Sequence, residues 1–142
     1  MASNIKRSSI SRWLLASLFM IAGVLHFVFP ARYAEIIPPA LPYPLMLVYI
    51  SGVCEFMGGV GVLIPFAHRF AGYGLIALLI AVFPANITML TNQMAHGWSL
   101  AVLLLILRLP MQFLMIWWVY RATSEEEEGI GGILSRQAES EE

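Results

Sequence analysis

The sequence predicts an all-α integral membrane protein, a four-helix bundle with both termini in the cytoplasm. Of its 142 residues, 59% are hydrophobic and only 12% are charged, about half the charged fraction of an ordinary soluble domain. The mean hydropathy is +0.77, and four apolar runs approach the ~20 residues that a helix needs to cross a bilayer. This composition excludes a soluble enzyme, a disordered chain and a nucleic-acid-binding protein.

The N-terminal region predicts a short cytoplasmic segment followed by the first span. Residues 1–12 are polar and basic, and the apolar run 13–29 follows them. That run is longer than a signal-peptide core, and no small-x-small cleavage site follows it because Arg32 separates Ala31 from Ala34. We therefore interpret residues 13–29 as a retained transmembrane helix.

A proline-rich loop is expected between the first and second spans. Each proline removes a backbone donor and fixes φ, so a regular helix is not expected in this segment. The loop is long for a helical connection, and we expect it to pack as a cap over one end of the bundle. Its prolines are Pro30, Pro38, Pro39, Pro42 and Pro44.

The remaining spans are predicted at about 45–64, 70–90 and 100–120, which completes a transmembrane domain over residues 13–120. The turn PFAHR separates the second span from the third, and the polar link TNQMAHGWS precedes the fourth. Residues 121–142 are rich in glutamate and have no apolar period, which predicts a disordered acidic cytoplasmic tail.

The distribution of basic residues predicts the orientation in the membrane. With four spans, five near-membrane basic residues lie on the side that holds both termini, and only Arg32 lies on the other side. By the positive-inside rule both termini face the cytoplasm, and we expect the bacterial inner membrane. The five residues are Lys6, Arg7, Arg12, Arg69 and Arg121.

Two formal charges, Glu55 and Arg108, fall within the predicted spans. At 1.5 Å per residue they lie ~15 Å and ~12 Å from the outer ends of their helices, near the middle of a ~30 Å hydrocarbon core. An isolated charge there costs ~2.5–3.5 kcal/mol. Opposite charges at matching depth would offset this cost, and we therefore hypothesise a contact between Glu55 and Arg108.

Small residues predict two smooth helix faces on which neighbouring helices can approach closely. In the second span, Gly52 and Gly59 share a face with Glu55 at three- and four-residue steps. In the third span the corresponding face is Gly74, Ala77, Ala81 and Ala85.

Polar residues in all four spans define a candidate buried polar pocket. One interpretation is a pocket that opens outward beneath the proline-rich loop; the other is a set of interhelical hydrogen bonds. Packing is favoured for Asn86 and Gln112, both interpretations stay open for His26, and function is favoured for the two charged residues. Pro84 and Pro110 each free a helix carbonyl that needs an internal donor. The candidate residues are His26, Glu55, Asn86, Arg108 and Gln112.

Several chemistries are not expected. The single cysteine, Cys54, rules out an internal disulfide. A membrane dithiol oxidoreductase needs at least two cooperating thiols, so this class of enzyme is not expected either. No histidine pair has the spacing of a haem site, and no glycine-rich phosphate loop is followed by lysine. His26 and Glu55 alone make a weak metal donor set, so no metal is expected.

Taken together, four phrases resemble the DoxX-like family of small membrane proteins over about residues 13–120. They are GVLHFVFPARYAEIIPPALPYP, SGVCEFMGGVGVLIP followed by Arg69, AVFPANITML and RLPMQ. The resemblance implies a four-helix bundle with both termini inside. Its relatives include membrane subunits of quinone-linked oxidation and a receptor-assembly chaperone. The family-like positions are His26, Pro30, Pro38, Pro39, Pro42, Ser51, Glu55, Pro65, Arg69, Pro84, Asn86, Arg108, Pro110 and Gln112.

These observations lead to a functional hypothesis with alternatives. The first is a membrane subunit, without catalytic activity of its own, that binds quinone or another lipophilic small molecule for a partner redox enzyme. The alternative is a non-enzymatic assembly factor or chaperone for other membrane proteins. A transporter is less favoured, because a single bundle shows no inverted repeat.

Overall fold

A computed structural model describes residues 2–124, with side chains from residue 9 onward, and its regular secondary structure over that range is entirely helical. Four of its five helices are long and apolar enough to cross a membrane, which confirms the all-helical prediction with four candidate spans. The helices are α1 (Ala2–Val28), α2 (Pro30–Ala34), α3 (Pro44–Leu63), α4 (His68–Met94) and α5 (Leu100–Ser124).

Three helices are longer than the apolar runs alone predicted. The helix α1 already begins at Ala2, within the segment expected to precede the first span, and α4 continues through TNQM, which the sequence placed in a link. Polar residues can continue a helix where no proline stops it, and the Thr88 and Thr91 hydroxyls each donate to a carbonyl of the preceding turn. The helix α5 extends to Ser124; the predicted disorder of the acidic tail beyond it lies outside the described residues.

The proline-rich loop contains one helical turn, α2, where no helix was expected. Pro30 is its first residue, a position at which the missing N–H has no intrahelical partner to lose. The next proline, Pro38, lies beyond the end of α2. The loop ends at Tyr43, which has a left-handed φ of 55°, and Pro44 then begins α3.

The four long helices form a ring in the order α1, α3, α4, α5. The helix α1 packs against α3, α3 against α4 and α4 against α5, while α5 returns to α1 through a smaller contact. The helices α3 and α5 therefore lie across the diagonal of the bundle.

The contact between α1 and α3 depends on glycine. A Cβ on Gly23 would lie 2.7 Å from the Gly52 carbonyl oxygen and 2.8 Å from the Phe56 nitrogen. Gly52, Glu55 and Gly59 are all buried on the face of α3 that the sequence indicated. Since the clashing atoms belong to the backbone, α1 and α3 can approach this closely only without side chains here.

The second small-residue face is not packed within the bundle, contrary to the sequence prediction. Gly74, Ala77 and Ala81 are exposed, and of that predicted set only Ala85 is buried. A Cβ on Gly74 would meet no atom within 4 Å. The physical reason is that α4 turns a different side, which carries Gly72 and Leu75, toward its neighbours.

An apolar core occupies the end of the bundle where α1 begins and α5 ends. Its members come from all four long helices and are at most 4% exposed. Trp118 packs beside this core, and its Nε1–H donates to Ser11 Oγ at 2.8 Å, which links α5 to α1. The core residues are Leu15, Phe19, Val62, Leu75, Val119 and Ala122.

Candidate ligand-binding site

The first polar pair of the site joins α1 to α3. His26 Nδ1 lies 3.5 Å from Glu55 Oε2, and the two residues are only 7% and 8% exposed. The pair is positioned by Gly52, since a Cβ at that residue would lie 2.8 Å from His26 Cβ. The close glycine contact between the helices therefore also brings the imidazole to the carboxylate.

Hydrogen bonding to the backbone determines which nitrogen of His26 carries a proton. Nδ1 lies 2.9 Å from the Ala22 carbonyl oxygen, which can only accept a hydrogen bond, so Nδ1 is the donor. The second ring nitrogen, Nε2, is then the acceptor of a neutral imidazole or a second donor of a protonated one. Glu55 Oε2 is buried and has no hydrogen-bond partner among the described residues.

A cavity of about 280 Å³ adjoins His26 between α1, α3 and α4. Tyr33 of α2 stacks on the His26 ring with centroids 4.0 Å apart and planes at 23°, and it also lines this cavity. Pro38 and Leu41 of the proline-rich loop contribute to the wall, so the loop covers this end of the bundle. Apart from His26, Tyr33 and Ser51, the lining is apolar.

A second cavity, of about 390 Å³, is also lined by Tyr33. Arg108 lines it but is exposed, not buried as the sequence predicted, and its Nη1 lies 3.8 Å from Met89 Sδ. Arg32 of α2 also lines it, and Tyr33 and Ile36 belong to both cavities. The two spaces are therefore neighbours that share one wall.

The predicted contact between Glu55 and Arg108 is wrong for the described residues. No ion pair within 4 Å joins them: Glu55 lies beside His26, and the guanidinium of Arg108 approaches Met89 instead, although Arg108 still acts electrostatically on the Glu55 carboxylate from a greater distance. The reason is the helix order, because α3 and α5 lie across the diagonal. Similar positions along two helices therefore do not make the two residues direct partners.

The second polar pair joins α4 to α5 and acts in packing. Asn86 Nδ2 donates to Gln112 Oε1 at 2.6 Å, and Gln112 Nε2 donates to the carbonyl oxygen of Leu79. Gln112 therefore contacts α4 twice, through a side-chain amide and through a backbone carbonyl. This is the interhelical interpretation that the sequence favoured for both residues.

The candidate residues thus separate into three groups. His26 and Glu55 are together, Asn86 and Gln112 are together, and Arg108 lies in the second cavity. Sequence reasoning did not assign Arg32 or Tyr33 to the site. The sequence feature that could have indicated these two residues is Pro30. It starts a helical turn shortly after His26, and this turn brings the chain back over the end of α1.

The fold and the site define a class of protein: a small helical bundle with four potential membrane-spanning helices, two buried polar pairs, and two adjacent cavities beneath a proline-rich loop. The chain belongs to the family described as a domain of unknown function (DUF8561), which matches residues 15–123. The matched range includes every residue that lines either cavity. No curated protein and no solved structure matches the chain.

Proposed function

We propose that this protein is an integral membrane subunit that binds quinone or another lipophilic carbonyl compound in the His26 cavity for a partner redox enzyme. The observation that carries the proposal is a buried imidazole with a fixed Nδ1 donor, placed against a buried carboxylate at the edge of an apolar cavity. Apolar cavities with a few convergent polar groups are typical of small-molecule sites.

The two polar groups have distinct roles in this proposal. A protonated His26 donates from Nε2 to a ligand carbonyl oxygen, while Tyr33 offers an aromatic face beside it. The Glu55 carboxylate, 3.5 Å from Nδ1, stabilises the positive charge of the protonated imidazole, and the proton that the ligand takes comes from Nε2. The chain supplies binding and proton transfer, the partner enzyme supplies or accepts the electrons, and the chain has no catalytic activity alone.

The proposal includes insertion in the bacterial inner membrane with both termini in the cytoplasm. Its supports are the excess of basic residues on the side of the termini and the resemblance to DoxX-like proteins, whose relatives include quinone-linked membrane subunits. In this orientation both cavities lie toward the outer face of the membrane.

The test is quinone binding to the purified full chain in detergent micelles. A quinone should co-extract with wild-type protein, or an added short-chain ubiquinone should bind saturably, as followed by ultraviolet absorbance. Glu55→Gln and His26→Gln should each weaken binding at least tenfold, whereas Cys54→Ser, which changes the exposed neighbour of Glu55, should not. Equal binding by all four proteins, or no saturable binding by the wild type, contradicts the proposal.

A second candidate function, assembly of other membrane proteins, is favoured by the exposed face formed by Gly74, Ala77 and Ala81 of α4. Small residues allow a partner helix to approach closely. Affinity purification of the full chain from membranes distinguishes the candidates. Assembly is favoured if a membrane protein co-purifies in stoichiometric amount without quinone and is lost from the Ala77→Leu variant. The first proposal is favoured if quinone is bound and the Ala77→Leu variant retains it.

A further inference from the structure

The second cavity has a charge pattern that the quinone proposal does not use. Arg32 from α2 and Arg108 from α5 both line it, together with Phe29, Tyr33, Ile36 and Met89. No acidic residue is part of this lining. Two cationic side chains from different elements therefore face one space with otherwise uncharged walls.

Neither arginine has a carboxylate partner in the part of the chain that the structure describes. Arg32 forms no ion pair there, and the side-chain contact of Arg108 is the Met89 thioether. The Glu55 carboxylate lies beside His26 and acts on Arg108 only from a distance, without an ion pair within 4 Å. A thioether is a weak acceptor, so the charge of Arg108 is only partly compensated.

The position of Arg108 makes this incomplete compensation unfavourable. It lies eight residues after the start of α5, or ~12 Å along the helix, in one of the segments apolar enough to cross a membrane. A guanidinium without a direct ion-pair partner is unfavourable within the hydrocarbon of a membrane. A bound anion would neutralise Arg108 and would also relieve the repulsion between the two arginines.

We propose that this cavity binds the anionic head of an amphiphile, a phosphate or carboxylate group held between Arg32 and Arg108. Guanidinium groups bind such oxygens with two parallel hydrogen bonds. Phe29, Tyr33 and Ile36 supply apolar contacts for the part of the molecule next to the head. The site adjoins the His26 site across the wall that Tyr33 and Ile36 form, and the proposal does not depend on the proposed quinone function.

The experiment is native mass spectrometry of the full chain in neutral detergent, titrated separately with phosphatidylglycerol, oleate, inorganic phosphate and zwitterionic phosphatidylcholine. Phosphatidylglycerol or oleate should bind at one site, at least tenfold more tightly than phosphatidylcholine. Arg32→Gln and Arg108→Gln should each raise the Kd at least tenfold. The matched control is Arg121→Gln, which removes the same charge at the opposite end of α5 and should leave the Kd unchanged.

Each outcome has a defined meaning. The proposal is supported if an anionic amphiphile binds and both Arg32→Gln and Arg108→Gln weaken its binding. If only inorganic phosphate binds tightly, the ligand is a free anion and the amphiphile proposal is wrong. Equal Kd values for the wild type and both cavity variants overturn the site. If Arg108→Gln does not fold, Arg32→Gln in the loop and the charge-conserving Arg108→Lys decide the question. Quinone binding by Arg32→Gln should match the wild type, so the two proposals fail independently.

Discussion

The end of the bundle that contains Leu15, Val62, Leu75 and Val119 is filled by side chains that are at most 1% exposed. The opposite end, beneath the proline-rich loop, contains cavities of about 390 and 280 Å³ and the buried polar pairs. Both ends are built from the same four helices. The filled end joins the helices mainly through apolar contacts, whereas the other end adds polar pairs between neighbouring helices and leaves space between them.

The difference teaches where the helices obtain their stability and where they leave room for a ligand. Lipid tails are as apolar as leucine, so helices in a membrane associate through close packing and interhelical hydrogen bonds. The filled end supplies the packing. Pro84 and the prolines of the loop lie toward the other end. Prolines interrupt regular helical hydrogen bonding, and they lie in the same region as the cavities.

The largest expected effect concerns the contact between α1 and α3. It tests whether these helices are closely packed even though the cavities lie at the same end of the bundle. Gly23→Ala should lower the free energy of unfolding by about 3 kcal/mol, the upper part of the usual cost of overpacking. The added methyl group would meet backbone atoms of Gly52 and Phe56 at 2.7–2.8 Å. Titration with a denaturing detergent, followed by tryptophan fluorescence, measures the change.

Gly74→Ala is the matched control for that variant, because its added methyl group meets nothing within 4 Å. It should be neutral or more stable by up to ~1 kcal/mol, since alanine is the better helix former. Equal stability of the two alanine variants would show that α1 and α3 do not touch at Gly23.

The next effect compares the two ends directly on one helix. Leu75→Ala should cost about 2 kcal/mol, because it leaves a void in a filled core. Leu78→Ala, one turn further along α4, should cost less than ~1 kcal/mol, because Leu78 already borders a cavity and is only half-buried. Thermal unfolding in one detergent ranks the two variants, and a larger loss for Leu78→Ala would reverse the assignment of the filled end.

The smallest expected effect concerns the hydrogen bonds that replace packing between α4 and α5. Gln112→Leu should cost about 1 kcal/mol, in line with interhelical hydrogen bonds in membranes, because it leaves Asn86 and the Leu79 carbonyl without this partner. Adding Asn86→Leu should restore part of the loss, since two apolar side chains replace a polar pair. A double-mutant cycle by detergent unfolding measures this coupling, and strictly additive losses would argue against a direct bond.

Much of the fold follows from the sequence because hydropathy and proline positions act locally. The apolar runs predict the four long helices, and the glycine spacing in α3 predicts its buried face. The helix order is not local information, which is why Glu55 was assigned to Arg108 rather than His26. The role of Tyr33 depends on how the loop folds back after Pro30, and composition alone does not determine that path.

The stacking of Tyr33 on His26, with ring centroids 4.0 Å apart, gives the protein an intrinsic spectroscopic reporter. An aromatic ring current shifts the resonances of protons held above its face, so the carbon-bound imidazole protons of His26 should resonate upfield of their usual position. His68 begins α4 at the filled end, away from Tyr33, and His96 is exposed. The chain contains three histidines, so the shifted resonance of His26 can be distinguished in a histidine-labelled sample. A change in its chemical shift would report the binding of a molecule that separates the two rings.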